Sequence, residues 1–337
     1  MTSKAFIVGL SGPALTASEK AFLAAQSPWG LILFARNVET PDQVRRLVEE
    51  ARAAIGWRVP VLIDQEGGRV QRLKPPHWPE YPAGEAFGAL YRRDPAAGLQ
   101  AVRLNSRLIA SDLFALGIDV DCLPVADLRL PEGHGIIGNR AYGEEPASVS
   151  ALARAAAEGL LEGGVLPVVK HIPGHGRAPV DSHERLPVVH AARAELERTD
   201  FAAFRPLADL PLGMTAHVVY ADLDADRPAT TSPVVMEEVV RGFIGFSGLV
   251  MSDDLSMGAL SGTVATRAEA ALAAGCDMLL HCNGRLDEME PIAAVTPVLS
   301  GLALERAERA LAARVAPAPF DADAARAARD RLLRLTD

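Results

Sequence analysis

The sequence predicts an α/β fold, a single-domain (β/α)8 barrel of the TIM type, and three observations carry that expectation. Eight short apolar runs recur along the chain, amphipathic segments of helical length separate them, and polar residues collect just after the runs. Of 337 residues, 49% are apolar and 23% charged, enough to bury a large core. No low-complexity linker or fixed-period repeat divides residues 1–337, and α/β barrels of this length commonly form one domain.

The runs predict strands over residues 5–10, 30–34, 60–64, 118–123, 165–170, 212–215, 248–252 and 278–282. Each is too short for a helix and is bordered by Gly, Pro or polar turn residues. Helices are expected over 40–54, 98–116, 148–163, 193–207 and 265–274. Thr40-Pro41 puts Pro at a first helical position, and Ser148 is placed to cap the helix that follows it. Stretches 74–88 and 128–146 read as long loops, which in compact domains are commonly functional. After about residue 301 an Ala/Arg/Glu-rich pattern predicts closing helices. Eight strands with helical crossovers favour closure, with a doubly wound open sheet as the alternative.

Composition narrows the function classes. The net charge is −9, from 34 basic and 43 acidic residues, and no basic block or stripe occurs, so nucleic acid is not an expected partner. Cys122, Cys276 and Cys282 are an odd, sparse set that suits a reducing compartment. Cys276 and Cys282 fall in the eighth run and its exit, where small buried residues are expected rather than a metal pair. The apolar run 5–10 is too short for a signal peptide, and no stretch is long enough to span a bilayer. A cytoplasmic protein with no membrane partner is expected.

The polar residues at the strand ends carry the chemistry. Asp64 ends the third run, Lys170 and His171 the fifth, and His217, Asp253 and Asn283 follow the sixth, seventh and eighth. In a β/α barrel these ends open on one face, where catalytic groups sit. Buried charge is costly unless paired, so this convergence points to a polar ligand.

The fifth run leads into Lys170-His-Ile-Pro-Gly-His-Gly-Arg-Ala-Pro-Val-Asp-Ser-His183. Asp181 and His183 are two apart, and extended backbone would put both on one face. A carboxylate beside an imidazole fixes its tautomer and favours its charged form, giving a group that exchanges protons near neutral pH. Competing readings are solvated loop histidines, a zinc site from His171, His175, His183 and Asp181, and a phosphate-binding glycine loop. The zinc reading lacks a rigid helical ligand pair, and the glycine spacing does not match a phosphate loop.

Two further motifs complete the set. Gly248-Leu-Val-Met-Ser-Asp-Asp-Leu-Ser-Met257 is a buried run ending in adjacent carboxylates. Strand alternation directs one of Asp253 and Asp254 to the site and leaves the other as a structural cap. A carboxylate opposite an acid/base group is the minimum for retaining glycoside hydrolysis. Ile63-Asp-Gln-Glu-Gly-Gly-Arg-Val-Gln-Arg-Leu73 places Asp64, Glu66, Arg69 and Arg72 beyond a strand end, around a Gly pair that lets the chain turn tightly. These groups suit sugar hydroxyls; an Asp–Arg brace for the loop is the structural alternative.

Taken together, the three motifs resemble those of family 3 glycoside hydrolases, in particular the single-domain bacterial β-N-acetylglucosaminidases, over residues 5–283. The resemblance implies that Asp253 is the nucleophile, that His183 is the acid/base, and that Asp181 orients it. It also implies that Asp64, Arg72, Arg140, Lys170 and His171 hold the N-acetylglucosamine, without metal or organic cofactor. The implied activity is a retaining exo-β-N-acetylglucosaminidase of peptidoglycan recycling. Its small-molecule substrate would be N-acetylglucosamine β-linked to anhydro-muropeptides, and a monomer is expected. A phosphorylase of the same family, a zinc-dependent barrel hydrolase and a muropeptide sensor are the alternatives. Ile172 replaces a more usual Phe beside the Lys-His pair, and Glu132-Gly-His-Gly135 is individual to this chain. Both bear on substrate preference.

Overall fold

The computed structural model describes residues 2–336. Eight parallel strands, β1 Lys4–Gly9, β2 Pro28–Leu33, β3 Val61–Ile63, β4 Val120–Asp121, β5 Leu166–Ile172, β6 Leu212–Thr215, β7 Leu249–Asp254 and β8 Met278–His281, close into a barrel. Each strand pairs with its sequence neighbours, and β8 pairs with β1. The doubly wound alternative is thereby excluded.

Closure follows from how the strands divide their side chains. Along β1, Ile7 points into the barrel with Ile32, Leu62, Val168, Met214, Met251 and Leu280. Its neighbours Phe6 and Val8 point outward, into the layer beneath the helices. Two-residue alternation thus fills two apolar layers at once, and each fully buried Val, Leu or Ile contributes about 1.5–3 kcal/mol.

Helices Pro41–Ile55, Pro95–Phe114, Pro146–Glu162 and Val264–Ala274 lie close to their expected positions. The expected helix over 193–207 does not form. Arg193–Leu196 makes one turn, followed by short 3-10 turns at Phe201–Ala203 and Arg205–Leu207. Pro206 has no N–H to donate, the Thr199 hydroxyl bonds the Glu195 carbonyl, and buried Asp200 is drawn to Arg177. Stretch 74–88, expected as loop throughout, contains the start of helix Gly84–Arg93. Sequence patterning also missed Ala17–Gln26, despite its Thr16–Glu19 capping box, the π-helix Val235–Phe243 and Leu286–Val295. The closing helices are Gly301–Ala312 and Ala322–Leu333.

Candidate active site

All eight residues to which the family resemblance gives a role lie at the C-terminal face of the barrel. Seven of them, Asp64, Arg72, Arg140, Lys170, His171, His183 and Asp253, line one cavity of about 370 Å³, and Asp181 stands behind His183.

One wall is a chain of alternating charges. Asp64 accepts from Lys170 Nζ at 2.8 Å and from Arg72 Nη2 at 2.9 Å. Lys170 Nζ also lies 2.7 Å from Glu66 Oε1, and Arg140 grips Glu66 through Nε at 2.8 Å and Nη2 at 2.7 Å. The tight hairpin Gln65–Gly67/Val70–Gln71 returns Arg72 to face Asp64, with Gly67 and Gly68 at φ +96° and +56°. Burial pushes both carboxyls up, but the cations outweigh it. Lys170 and Arg72 hold Asp64 far below its ordinary value, and Arg140 with Lys170 hold Glu66 at about 2. Burial lowers Lys170, and the two carboxylates more than reverse that. These charges remain fixed throughout the neutral range. Arg72 stacks over Phe34, its guanidinium carbon 5.1 Å from the ring centre, and its buried Nε has no protein partner. A free donor of this kind suits a ligand hydroxyl.

The opposite wall carries the His183–Asp181 pair expected from the sequence to exchange protons. His183 Nδ1 lies 2.7 Å from Asp181 Oδ1, which also accepts the His183 backbone N–H at 2.9 Å. The pairing arises differently from expectation. Residues 181–185 form a turn closed by Glu184 and Arg185 N–H groups on the Asp181 carbonyl, so a side-chain-capped turn, and not an extended strand, brings the groups together. Burial tends to raise Asp181, but the bonds from His183 outweigh it and hold the carboxyl below its ordinary value. The loop tip is tethered as well: Ser182 Oγ meets His175 Nε2 at 2.9 Å, and the Gly258 and Ala259 N–H groups bond the His183 and Ser182 carbonyls.

At the floor, Asp253 and Asp254 both border the cavity because the β7–β8 register shifts between Met251 and Asp254. Their roles still separate. Asp254 accepts from Ser256 N and Oγ and from Cys282 N, which makes it the structural cap. Asp253 accepts one bond, from the Asp254 N–H to Oδ1 at 2.8 Å, and among the described residues its Oδ2 has no hydrogen-bond donor. Burial raises the Asp253 carboxyl, and the facing histidines His217 and His171 bring it below its ordinary value. A comparable register shift between Val169 and Ile172 lets Lys170 and His171 both reach the cavity. Ile172 instead packs outward beside Phe246, off the cavity wall, so its volume acts on the core.

Asp127 had not been singled out from the sequence. Its Oδ2 lies 2.6 Å from His171 Nδ1, and its Oδ1 accepts the backbone N–H groups of His171 and His175 at 3.2 and 2.7 Å. Burial works against its charge, yet His171 and these bonds hold it at about 2. Pro124-Val-Ala-Asp127 follows the fourth strand, so the strand-end rule contained this signal. His171, His175 and His183 are committed to Asp127, Ser182 and Asp181 respectively. Among the described residues no group of three or more His, Cys, Asp or Glu side chains is arranged to hold a metal ion.

Known proteins resemble this chain over most of its length. The family described as glycosyl hydrolase family 3 N terminal domain matches residues 7–316. A Beta-hexosaminidase of Bordetella avium is 38% identical over 92% of this chain and 89% of its own length. Another, from Alkalilimnicola ehrlichii, is 42% identical over 82% of this chain and 80% of its own. Among solved structures, NagZ from Neisseria gonorrhoeae in complex with N-trifluoroacetyl-D-glucosamine superposes with a TM-score of 0.88. It is 32% identical and covers 100% of this chain and 99% of its own.

Proposed function

The chain belongs to glycosyl hydrolase family 3 and is a glycoside hydrolase of its β-N-acetylglucosaminidase branch, and from that premise we propose a retaining exo-acting mechanism with a covalent glycosyl-Asp253 intermediate. The observation that carries it is the pairing, across one cavity, of a carboxylate with a free oxygen and a histidine oriented by its own carboxylate.

In this mechanism the ion-paired wall of Asp64, Lys170, Arg72, Glu66 and Arg140 holds the sugar with His171. Asp253 Oδ2 attacks the anomeric carbon as the glycosidic bond breaks. With Nδ1 committed to Asp181, His183 presents Nε2 to the leaving oxygen and protonates it. The neutral imidazole then takes a proton from water as water attacks the same carbon and releases Asp253. A histidine takes the role of the acid/base carboxylate in the usual two-carboxylate scheme. The substrate we assign is N-acetylglucosamine β-linked to an anhydro-muropeptide, acted on in the cytoplasm during peptidoglycan recycling. Three buried, unpaired cysteines fit a reducing compartment.

Trapping with a fluorinated N-acetylglucosaminyl donor, followed by mass spectrometry of the labelled peptide, tests the reading. Label on Asp253 is the expected outcome. Label on Asp254 moves the nucleophile, and no label with sustained turnover overturns the covalent route.

A further inference from the structure

His217 lines no part of the sugar cavity and is fully buried, yet it is bonded to the segment that presents the nucleophile. Its Nε2 lies 3.0 Å from the Asp254 carbonyl, and its Nδ1 lies 2.7 Å from Thr230 Oγ1. Thr230 Oγ1 is 2.7 Å from Thr215 Oγ1, which accepts the Asp253 N–H at 3.3 Å. Thr215 and Thr230 are buried as well.

The protons can be assigned from the partners. A carbonyl only accepts, so His217 Nε2 carries hydrogen. The Thr215 oxygen accepts from Asp253 N–H and turns its own hydrogen to Thr230. Thr230 then has one hydrogen and two acceptors, His217 Nδ1 at 2.7 Å and the Ala216 carbonyl at 3.1 Å. Burial holds His217 below its ordinary value, against the opposing influence of Asp253 and Asp254, which favours the neutral ring with Nδ1 as acceptor. The bonds then run in one direction, from Asp253 N–H through Thr215, Thr230 and His217 to the Asp254 carbonyl.

We propose that His217 is a positioning residue for the nucleophile, closing a buried circuit of hydrogen bonds that leaves the chain at Asp253 and returns at Asp254. The circuit anchors the peptide groups on either side of the one whose N–H holds Asp253 Oδ1, and through them the direction of Oδ2. This rests on Asp253 being the nucleophile. His217 acts on both halves of the reaction, since Asp253 is attacking group in one and leaving group in the other. Its loss therefore has a different signature from loss of His183, which matters most for poor leaving groups.

The test compares His217→Leu, His217→Gln and Thr230→Val with wild type, using the fluorinated donor and a series of aryl N-acetylglucosaminides. His217→Leu removes both bonds. It is expected to lower kcat and the trapping rate about 10–100-fold, equally for good and poor leaving groups, with KM within about 3-fold. His217→Gln keeps a donor near the Asp254 carbonyl and should restore most of the rate. Thr230→Val cuts the circuit with little change of shape and should reproduce the signature if the leucine variant does not fold. A trapping rate unchanged in His217→Leu and Thr230→Val, with wild-type label on Asp253, overturns the proposal and leaves the mechanism standing. A loss confined to poor leaving groups also overturns it, because that would be an effect on His183. Wild-type label elsewhere than Asp253 removes the nucleophile assignment and the proposal with it.

Discussion

His183 stands out at the residue scale because it is the exposed member of an otherwise buried site, its side chain 63% accessible while Asp181 behind it is 19% accessible. An acid/base group on a loop tip can serve leaving groups of different shape, provided one carboxylate fixes its orientation. Replacing His183 with Ala removes the proposed proton donor and leaves Asp253 intact. The expected result is a fall of about 100-fold or more in kcat/KM for natural glycosides and a much smaller one for aryl glycosides with acidic phenols. Matched kinetics on both substrate types check this, and equal losses would exclude His183 from proton transfer. The residues legible in the sequence were those in short dense motifs: Asp181 and His183 two apart, Lys170 and His171 adjacent, Asp253 at a strand end. Asp127 follows a strand end and Glu66 lies in a dense motif, but their ion-pair partners His171 and Arg140 are 44 and 74 residues away, and no local pattern encodes such pairing.

Elements were readable where packing and local pattern agree. All eight barrel strands are buried on both sides and announce themselves as apolar runs, whereas the helix expected over 193–207 yields to Pro206 and to the pull of Arg177 on Asp200. The same tertiary pull shapes the loop that carries His183. Its root packs against the loop after β4, where His134 N–H bonds the Ala178 carbonyl and a Cβ on Gly176 would come within 2.1 Å of the Leu128 carbonyl. Gly176→Ala must therefore separate two loops that together hold Asp127, Arg140 and His183. A displacement of that size should cost about 1–3 kcal/mol in stability and lower kcat about 10-fold or more. Urea unfolding and steady-state kinetics measure the two effects, and an alanine variant with wild-type kcat would show that the loop contact does not set the site geometry.

The whole molecule divides into a catalytic face and a stabilising face, and its electrostatics differ accordingly. On the catalytic face Glu66 and Asp127 are held at about 2, against ordinary values of 4.5 and 3.8. Depressed carboxyls stabilise the fold above their unfolded values, so stability should fall as pH drops from about 4.5 through 2, as measured by thermal unfolding across that range. Buried Asp121 works in the opposite direction: burial raises it well above its ordinary value, and its protonation on acidification favours the folded state. Below its ordinary value of 3.8 the Asp121 gain is complete, so a midpoint that stays flat from there to about 2 would mean that the depressed carboxyls add nothing to stability. At the other end of the barrel, Asp119 lies just before β4 with 2% of its side chain accessible. It accepts from Arg52 at 3.0 Å, from Arg314 at 2.7 Å and from the Val61 N–H at 2.8 Å, which ties the segment after helix Gly301–Ala312 to the barrel floor. That helix also sends Ala307 and Ala310 into the interior layer. Sequence patterning found the helix but not its purpose, because Asp119 and Arg314 are 195 residues apart. Asp119→Ala leaves two arginines without their shared carboxylate and should cost about 3–5 kcal/mol, the usual consequence of breaking a buried ion pair from one side. The N-terminal face of a β/α barrel carries stability and not catalysis, so KM for aryl N-acetylglucosaminides should not change below the unfolding transition. A shifted KM with normal stability would mean that the floor communicates with the sugar site through β4, and would end the division of the two faces proposed here.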